Sequence, residues 1–290
     1  MSYVYIFLAT IMFSFVGTLV KIASSMVPAS AVTFSRFFFG VIFLFLLCLL
    51  TRHKPKLLFA NLWIWLGIIG KCVNYFCENT ALQKGASFGN IVTYPVQAIS
   101  LCFFSALIFK EKIGPRKIIS TILCVSGILI ISWNGNTMDV FFGDALPVMM
   151  LFVFSAIGAA TFILAQKMLI LKLPSTDMNL SVFLVGTLIA AVPMGLDVDQ
   201  FSSFRLSSLL ALIALGIITG GAFLLVAKSL KKLSLVVSGM IQNSCAIFAL
   251  IWAAIFWHEP ITAYVVIGTV IFLCGLVFIN VSPKKGIFVN

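Results

Sequence analysis

Four polar residues in the stretch GKCVNYFCENTALQKG (70–85) share one helical face, because Lys71, Asn74, Tyr75 and Glu78 stand at i, i+3, i+4 and i+7. Two helical turns separate the cation from the acid, about 10 Å by the helix rise. Such a face can hold a small zwitterion, with a carboxylate at Lys71 and an amine at Glu78. Glu78 has a second role open to it, as carrier of a coupling proton. The stretch follows the apolar run LWIWLGII (62–69), which places Lys71 near the middle of a hydrophobic segment. A charge at that depth of a bilayer costs at least about 2.5–3.5 kcal/mol and is retained where it faces a wet cavity or a partner. The plainer alternative is a structural tie that braces neighbouring helices through Asn74 and Tyr75. A direct Lys71–Glu78 bridge is long even for two extended side chains.

A second polar stripe follows at Asn90, Thr93, Tyr94 and Gln97, and Pro95 within it removes the donor for the Ile91 carbonyl and bends the helix. Cavity lining and interhelical hydrogen-bond glue look alike in such a stripe. Ser14, Thr18 and Lys21 share a face of the first apolar segment, where Gly17 permits close approach and Lys21 can snorkel to the interface. Arg36 lies two turns into the second segment and either snorkels or adds positive potential to a cavity. Gln242, Asn243, Ser155 and Thr161 are the weaker polar candidates in the second half. Glu111 and Glu259 sit near Pro115 and Pro260 at helix starts, where a carboxylate complements the helix dipole.

The elements that position these residues are set by composition. Of 290 residues, 62% are hydrophobic and 9% charged, and the mean hydropathy is +1.18. Soluble domains are about a quarter charged, so this chain belongs in a bilayer. The net charge of +11 then reflects basic loops and not nucleic-acid binding. The seven cysteines form no CxxC pair, and two histidines are too few for a histidine metal site. No cofactor is expected. The opening MSYVY lacks a basic region, so residues 3–23 are expected to be a first span and not a signal peptide.

Apolar runs of spanning length fall at 3–23, 29–50, 59–81, 86–109, 116–133, 144–166, 178–196, 207–227, 233–257 and 261–281. The expected fold is an all-α integral membrane protein of ten transmembrane helices, since these runs do not alternate as barrel strands do. Alternate loops carry Arg52, Lys54, Lys56; Lys110, Lys112, Arg116, Lys117; Lys167, Lys172; Lys228, Lys231, Lys232; and Lys284, Lys285. The positive-inside rule puts those loops and both termini in the cytoplasm. Shifted by 148 residues, the segment 106–131 lies on 254–279, with Ala106 on Ala254, Glu111 on Glu259, Ile113 on Ile261, Thr121 on Thr269 and Gly127 on Gly275. The basic loop KEKIGPRK meets HEPITAYV, which has no lysine or arginine. Five spans per half and this flipped charge bias predict two inverted five-helix repeats, 1–133 and 143–285, with a midplane site between them.

The segment TALQKGASFGNIVTYPVQAISLCFFSALIFKEKIGPRKIISTILCVSGILII resembles the first-half signature of the drug/metabolite transporter superfamily, in its EamA-type members. The matching positions are Ala81–Leu82, Gly85–Ala86, Pro95, Glu111 and Gly127; the second half repeats Glu259 and Gly275, with Asn243 where Pro95 would recur. The resemblance implies a central cavity among spans one to four and six to nine, with spans five and ten peripheral and at a homodimer contact. It also implies efflux across a bacterial inner membrane.

Together these readings predict a secondary transporter of small polar metabolites, amino acids or related zwitterions, working by alternating access. The expected substrate-binding set is Lys71, Asn74, Tyr75, Glu78, Asn90, Tyr94, Gln97, Ser14, Thr18, Arg36 and Asn243. Exchange of phosphorylated, nucleotide-like or vitamin metabolites is an alternative. An integral-membrane enzyme is another, although the sequence offers no nucleophile–base pair and no phosphate loop.

Overall fold

The computed structural model of the protein describes residues 1–84, 93–110, 114–133, 146–257 and 262–280. Among them are α1 (Ser2–Ser14), α2 (Val16–Ala23), α3 (Ala29–Leu50), α4 (Leu62–Lys84), α5 (Thr93–Ile108) and α6 (Pro115–Trp133). The second half continues with α7 (Leu146–Leu169), α8 (Ser175–Leu196), α9 (Leu206–Leu230), α10 (Leu235–Asn243), α11 (Cys245–Trp257) and α12 (Ala263–Asn280). No strand occurs among the described residues.

Six helical segments are long and apolar enough to cross a membrane: Ser2–Ala23, Ala29–Leu50, Pro147–Leu169, Ser175–Leu196, Leu206–Leu230 and Leu235–Phe256. Shorter apolar helices cover Val96–Ile108, Ile118–Gly127 and Ala263–Gly275. Helix α4 is long enough at 23 residues, but its polar stripe lowers its hydropathy. The protein is therefore a multi-pass membrane protein, and large side chains such as Phe45, Trp65, Phe103 and Leu188 lie exposed on its flanks where lipid would cover them.

Two of the apolar segments are broken, and a serine stands at each break. Between α1 and α2, Ser14 Oγ donates to the Ile11 carbonyl at 2.6 Å. Between α10 and α11, Ser244 Oγ donates to the Ile241 carbonyl at 2.6 Å. A hydroxyl that binds a carbonyl of its own preceding turn loosens the backbone ladder there. The second break falls one residue after Asn243, the position that aligns with Pro95.

Most of the packing joins one half of the chain to the other. Helix α4 lies along α7, α3 along α9 and α8, α1 and α2 along α9, α5 along α7 and α10, and α6 along α12. The α4–α7 crossing is close because both helices present glycine. A Cβ on Gly158 would lie 2.5 Å from the Gly70 carbonyl oxygen and 2.7 Å from the Asn74 nitrogen. Helices α6 and α12 pack chiefly on each other, with Gly127 and Gly275 at their contact.

Polar contacts tie the helix ends into two opposite faces. At one, His53 Nε2 meets Asp177 Oδ1 at 2.6 Å, and Lys167 Nζ donates to the carbonyls of Leu230 and Leu233 at 2.7 and 2.8 Å. At the other, Ser30 Oγ donates to Asp197 Oδ2 at 2.6 Å. There Gln83 Oε1 accepts from the Ala29 nitrogen at 2.8 Å, and Ser208 Oγ donates to the Ile22 carbonyl at 2.9 Å.

Gly158→Ala is expected to force α4 and α7 apart and to destabilise the protein by about 1–3 kcal/mol, the usual cost of overpacking. Gly195→Ala, whose Cβ would meet nothing within 4 Å, should stay within about 0.5 kcal/mol. Thermal unfolding of the detergent-purified variants measures both.

Candidate functional site

The face of α4 foreseen from its spacing points into the bundle. Lys71 and Tyr75 are fully buried, while Asn74 and Glu78 are 5% and 9% exposed. Neighbouring helices complete a cavity of about 40 Å³. Its walls are Lys71, Asn74, Tyr75 and Glu78 of α4, Arg36 of α3, and Thr93, Tyr94 and Gln97 of α5. From the start and the second half come Phe13, Val16, Ala159, Ile163, Phe223 and Gln242.

Arg36 and Glu78 form a buried ion pair, Nη1 to Oε2 at 2.7 Å. The same nitrogen donates to Asn79 Oδ1 at 2.9 Å, and Asn79 Nδ2 donates to Thr33 Oγ1 at 2.8 Å. Thr33 and Asn79 thus hold the pair from the side away from the cavity. The Arg36 guanidinium also lies over the Tyr75 ring, 3.7 Å from its centroid. Tyr75 is fixed in turn by a 2.8 Å hydrogen bond between its hydroxyl and Thr219.

Lys71 is held differently. Its ammonium donates to Asn74 Oδ1 at 2.7 Å. It lies 3.7 Å from the centroids of Tyr75 and Phe223 and 5.3 Å from that of Phe162. No carboxylate of the described residues stands within salt-bridge reach of it. Asn74 is anchored across the α4–α7 crossing, where its Nδ2 donates to Ser155 Oγ at 2.8 Å. The Lys71–Glu78 bridge that the spacing disfavoured is not formed; the acid is matched by Arg36 and the lysine by an amide and aromatic faces. The lining carries two cations and one anion, a formal charge of +1.

Three buried polar atoms on the cavity-lining residues have no hydrogen-bond partner: Arg36 Nε, Thr93 Oγ1 and Gln97 Nε2. An unpartnered buried donor or acceptor costs about 1–3 kcal/mol, so these groups are suited to an occupant. The cavity holds water-sized contents as it stands and is far smaller than the roughly 300–1,000 Å³ of metabolite pockets.

Not every residue foreseen from the sequence reaches this cavity. Ser14 accepts a hydrogen bond from Trp252 Nε1 at 2.8 Å, Trp252 stacks on Phe15 with centroids 4.4 Å apart, and neither Ser14 nor Thr18 lines the cavity. Asn243 is buried between α10 and α5; with its amide turned to satisfy both groups, it donates to the carbonyls of Gly239 and Tyr94 at 3.2 and 2.9 Å. Asn90 lies outside the described residues, as do Glu111 and Glu259. Ser155 serves through Asn74, and Gln242 joins the wall directly. Phe162 and Phe223 did not stand out among 29 phenylalanines, although both flank the lysine. Asn79 and Thr33 carried a faint signal: Asn79 adjoins Glu78, and Thr33 precedes Arg36 by one helical turn on the same face.

Comparison with known proteins adds three findings. The model of the EamA-like transporter family matches residues 1–133 and 146–281. A protein known from its crystal structure shares this fold, with a TM-score of 0.80 over 97% of this chain and 98% of the other at 16% identity. No curated protein sequence matches this chain.

Arg36→Met would leave Glu78 charged and unpaired in the bundle. It is expected to cost about 3–5 kcal/mol of stability. The double variant Arg36→Met, Glu78→Gln removes both charges and should recover most of that loss, as measured by thermal unfolding. Equal destabilisation in the two variants would mean that the guanidinium acts through packing alone.

Proposed function

This chain belongs to the EamA-like transporter family, and from that premise we propose that it carries small polar metabolites with a negative group, amino acids or related zwitterions foremost. The observation that carries this reading is the state of Lys71: fully buried on the cavity wall, with one amide acceptor, three aromatic neighbours and no carboxylate partner. Such an ammonium gains most from an occupant that brings its own anion. Gln97 Nε2 and Arg36 Nε are further donors without partners. Glu78 spends Oε2 on Arg36 and keeps its other oxygen for a substrate amine. The net lining charge of +1 suits one carboxylate better than a doubly charged phosphate.

Ten spans in two inverted repeats are the arrangement that best accounts for the packing. The family model matches each half separately. Numbering the spans in chain order, a shift by five places turns the α4–α7 contact of spans three and six into the α9 contact with α1 and α2, spans eight and one. The α5–α7 contact becomes the contact of α10 and α11 with α1 in the same way. A site between repeats changes shape when one half rocks against the other. Widening from a volume of about 40 Å³ is therefore the step that admits substrate, and alternating access is the mechanism proposed. Efflux across a bacterial inner membrane is the proposed direction, with the basic helix ends and both termini in the cytoplasm.

Lys71→Met keeps length and apolar bulk and removes the charge. The variant is expected to fold with near-parental stability and to lose at least about tenfold in substrate affinity, the scale of one charged hydrogen bond. Binding and thermal unfolding are measured on the same purified sample against a metabolite panel, and recovered metabolites are checked for chemical change, which would indicate an enzyme instead. Undiminished binding by Lys71→Met would place the site elsewhere.

Impermeant maleimide should modify Lys54→Cys only from the cytoplasm and Ser203→Cys only from outside. Labelling of both from one side would defeat the repeat arrangement.

A further inference from the structure

Away from the central cavity, a larger cleft of about 580 Å³ opens at the end of the bundle where α1 begins and α9 ends. Its lining includes Lys228, Lys231 and Lys232 on one wall and Tyr3 and Tyr5 on the other. Lys228 belongs to the last turn of α9, and the backbone stays in right-handed helical geometry at Lys231 (φ −57°, ψ −34°). The three ammonium groups, at i, i+3 and i+4, are therefore gathered on one side. All three are exposed. No aspartate or glutamate lines the cleft, and neither ion pair of the described residues uses these lysines. The nearby Lys167 is spent on the carbonyls of Leu230 and Leu233, which neutralises the negative end of α9 beside the cleft.

From this cleft the outer face of α1 runs into the hydrocarbon with Val4, Phe7 and Leu8 exposed. A basic concavity at the water boundary, flanked by tyrosines and continuous with an apolar helix face, matches both parts of a phospholipid. We propose that this cleft binds the phosphodiester headgroup of an anionic phospholipid. The phosphate accepts from the three lysines, the tyrosine hydroxyls donate to phosphate or glycerol oxygens, and the acyl chains lie along α1. A free soluble phosphate shares the first of these interactions but gains nothing from Val4, Phe7 and Leu8. The site contributes no residue to the central cavity and stands independently of which metabolite is carried.

Native mass spectrometry and thermal unfolding of the full chain in neutral detergent test this, with phosphatidylglycerol, phosphatidylcholine and glycerol phosphate as separate probes. Phosphatidylglycerol should be retained and should raise Tm, whereas phosphatidylcholine and glycerol phosphate should do neither. Each lysine changed to glutamine should weaken retention by about fivefold, and the triple variant Lys228→Gln, Lys231→Gln, Lys232→Gln should show no preference for the anionic lipid. Lys54→Gln, Lys56→Gln removes two exposed charges outside the cleft and should leave the preference intact. The proposal fails if the triple variant keeps the preference, or if the control pair abolishes it as fully. An equal response to glycerol phosphate would also overturn it and assign the cleft to soluble phosphates.

Discussion

Charge that enters hydrocarbon must be compensated inside it, and the centre of this protein is organised by two unequal solutions to that requirement. Arg36 meets a full negative charge in Glu78, and Asn79 and Thr33 extend the network so that the pair is oriented as well as neutralised. Lys71 meets only the dipole of Asn74 and the electron-rich faces of aromatic rings. Cation–π contacts contribute roughly 0.5–2 kcal/mol each, which moderates burial of an ammonium but falls short of a counter-ion. The inequality leaves a positive centre on the cavity wall without a counter-ion among the described residues. Tyr75 stands between the two solutions, with its ring facing both cations and its hydroxyl tied to Thr219 on α9.

Backbone contact is the second constraint, because it decides where that centre lies. Lipid supplies no hydrophobic drive between helices, so small residues that admit close approach determine which helices meet. Gly70 and Gly158 bring α4 and α7 nearly into backbone contact one residue before Lys71. Asn74, one turn later, then reaches Ser155 on α7. The crossing that joins the two halves thus also orients the group that holds the lysine. A displacement of one half against the other would disturb the crossing, the amide and the ammonium together.

Basic residues at the helix ends act over longer distances. Lys167 binds the carbonyls of Leu230 and Leu233 at and just beyond the end of α9, while Lys228, Lys231 and Lys232 remain in solvent. In the hydrocarbon each cation needs a specific partner, whereas at the boundary water hydrates it and the surrounding field decides what it attracts. One residue type therefore works as a precise contact at Lys71 and as an unpaired source of positive potential at Lys228.

Hydropathy alone determined that the chain lives in a bilayer as helices, since no other structure satisfies the backbone of such long apolar runs. The period of 3.6 determined that Lys71, Asn74, Tyr75 and Glu78 share a face, because neighbours on one helix are set by spacing. The resemblance between the halves and the EamA-like signature were legible for the same reason, being patterns along one chain. Partners on other helices were not. That Glu78 belongs to Arg36, that Phe223 and Phe162 flank the lysine, and that Ser14 and Asn243 serve helix breaks and crossings without lining the cavity were settled only by packing. Periodicity places a side chain around its own axis, but which of many equivalent apolar or hydroxyl side chains it meets depends on the rotation and closest approach of helices far apart in sequence, and those are properties of the assembled bundle.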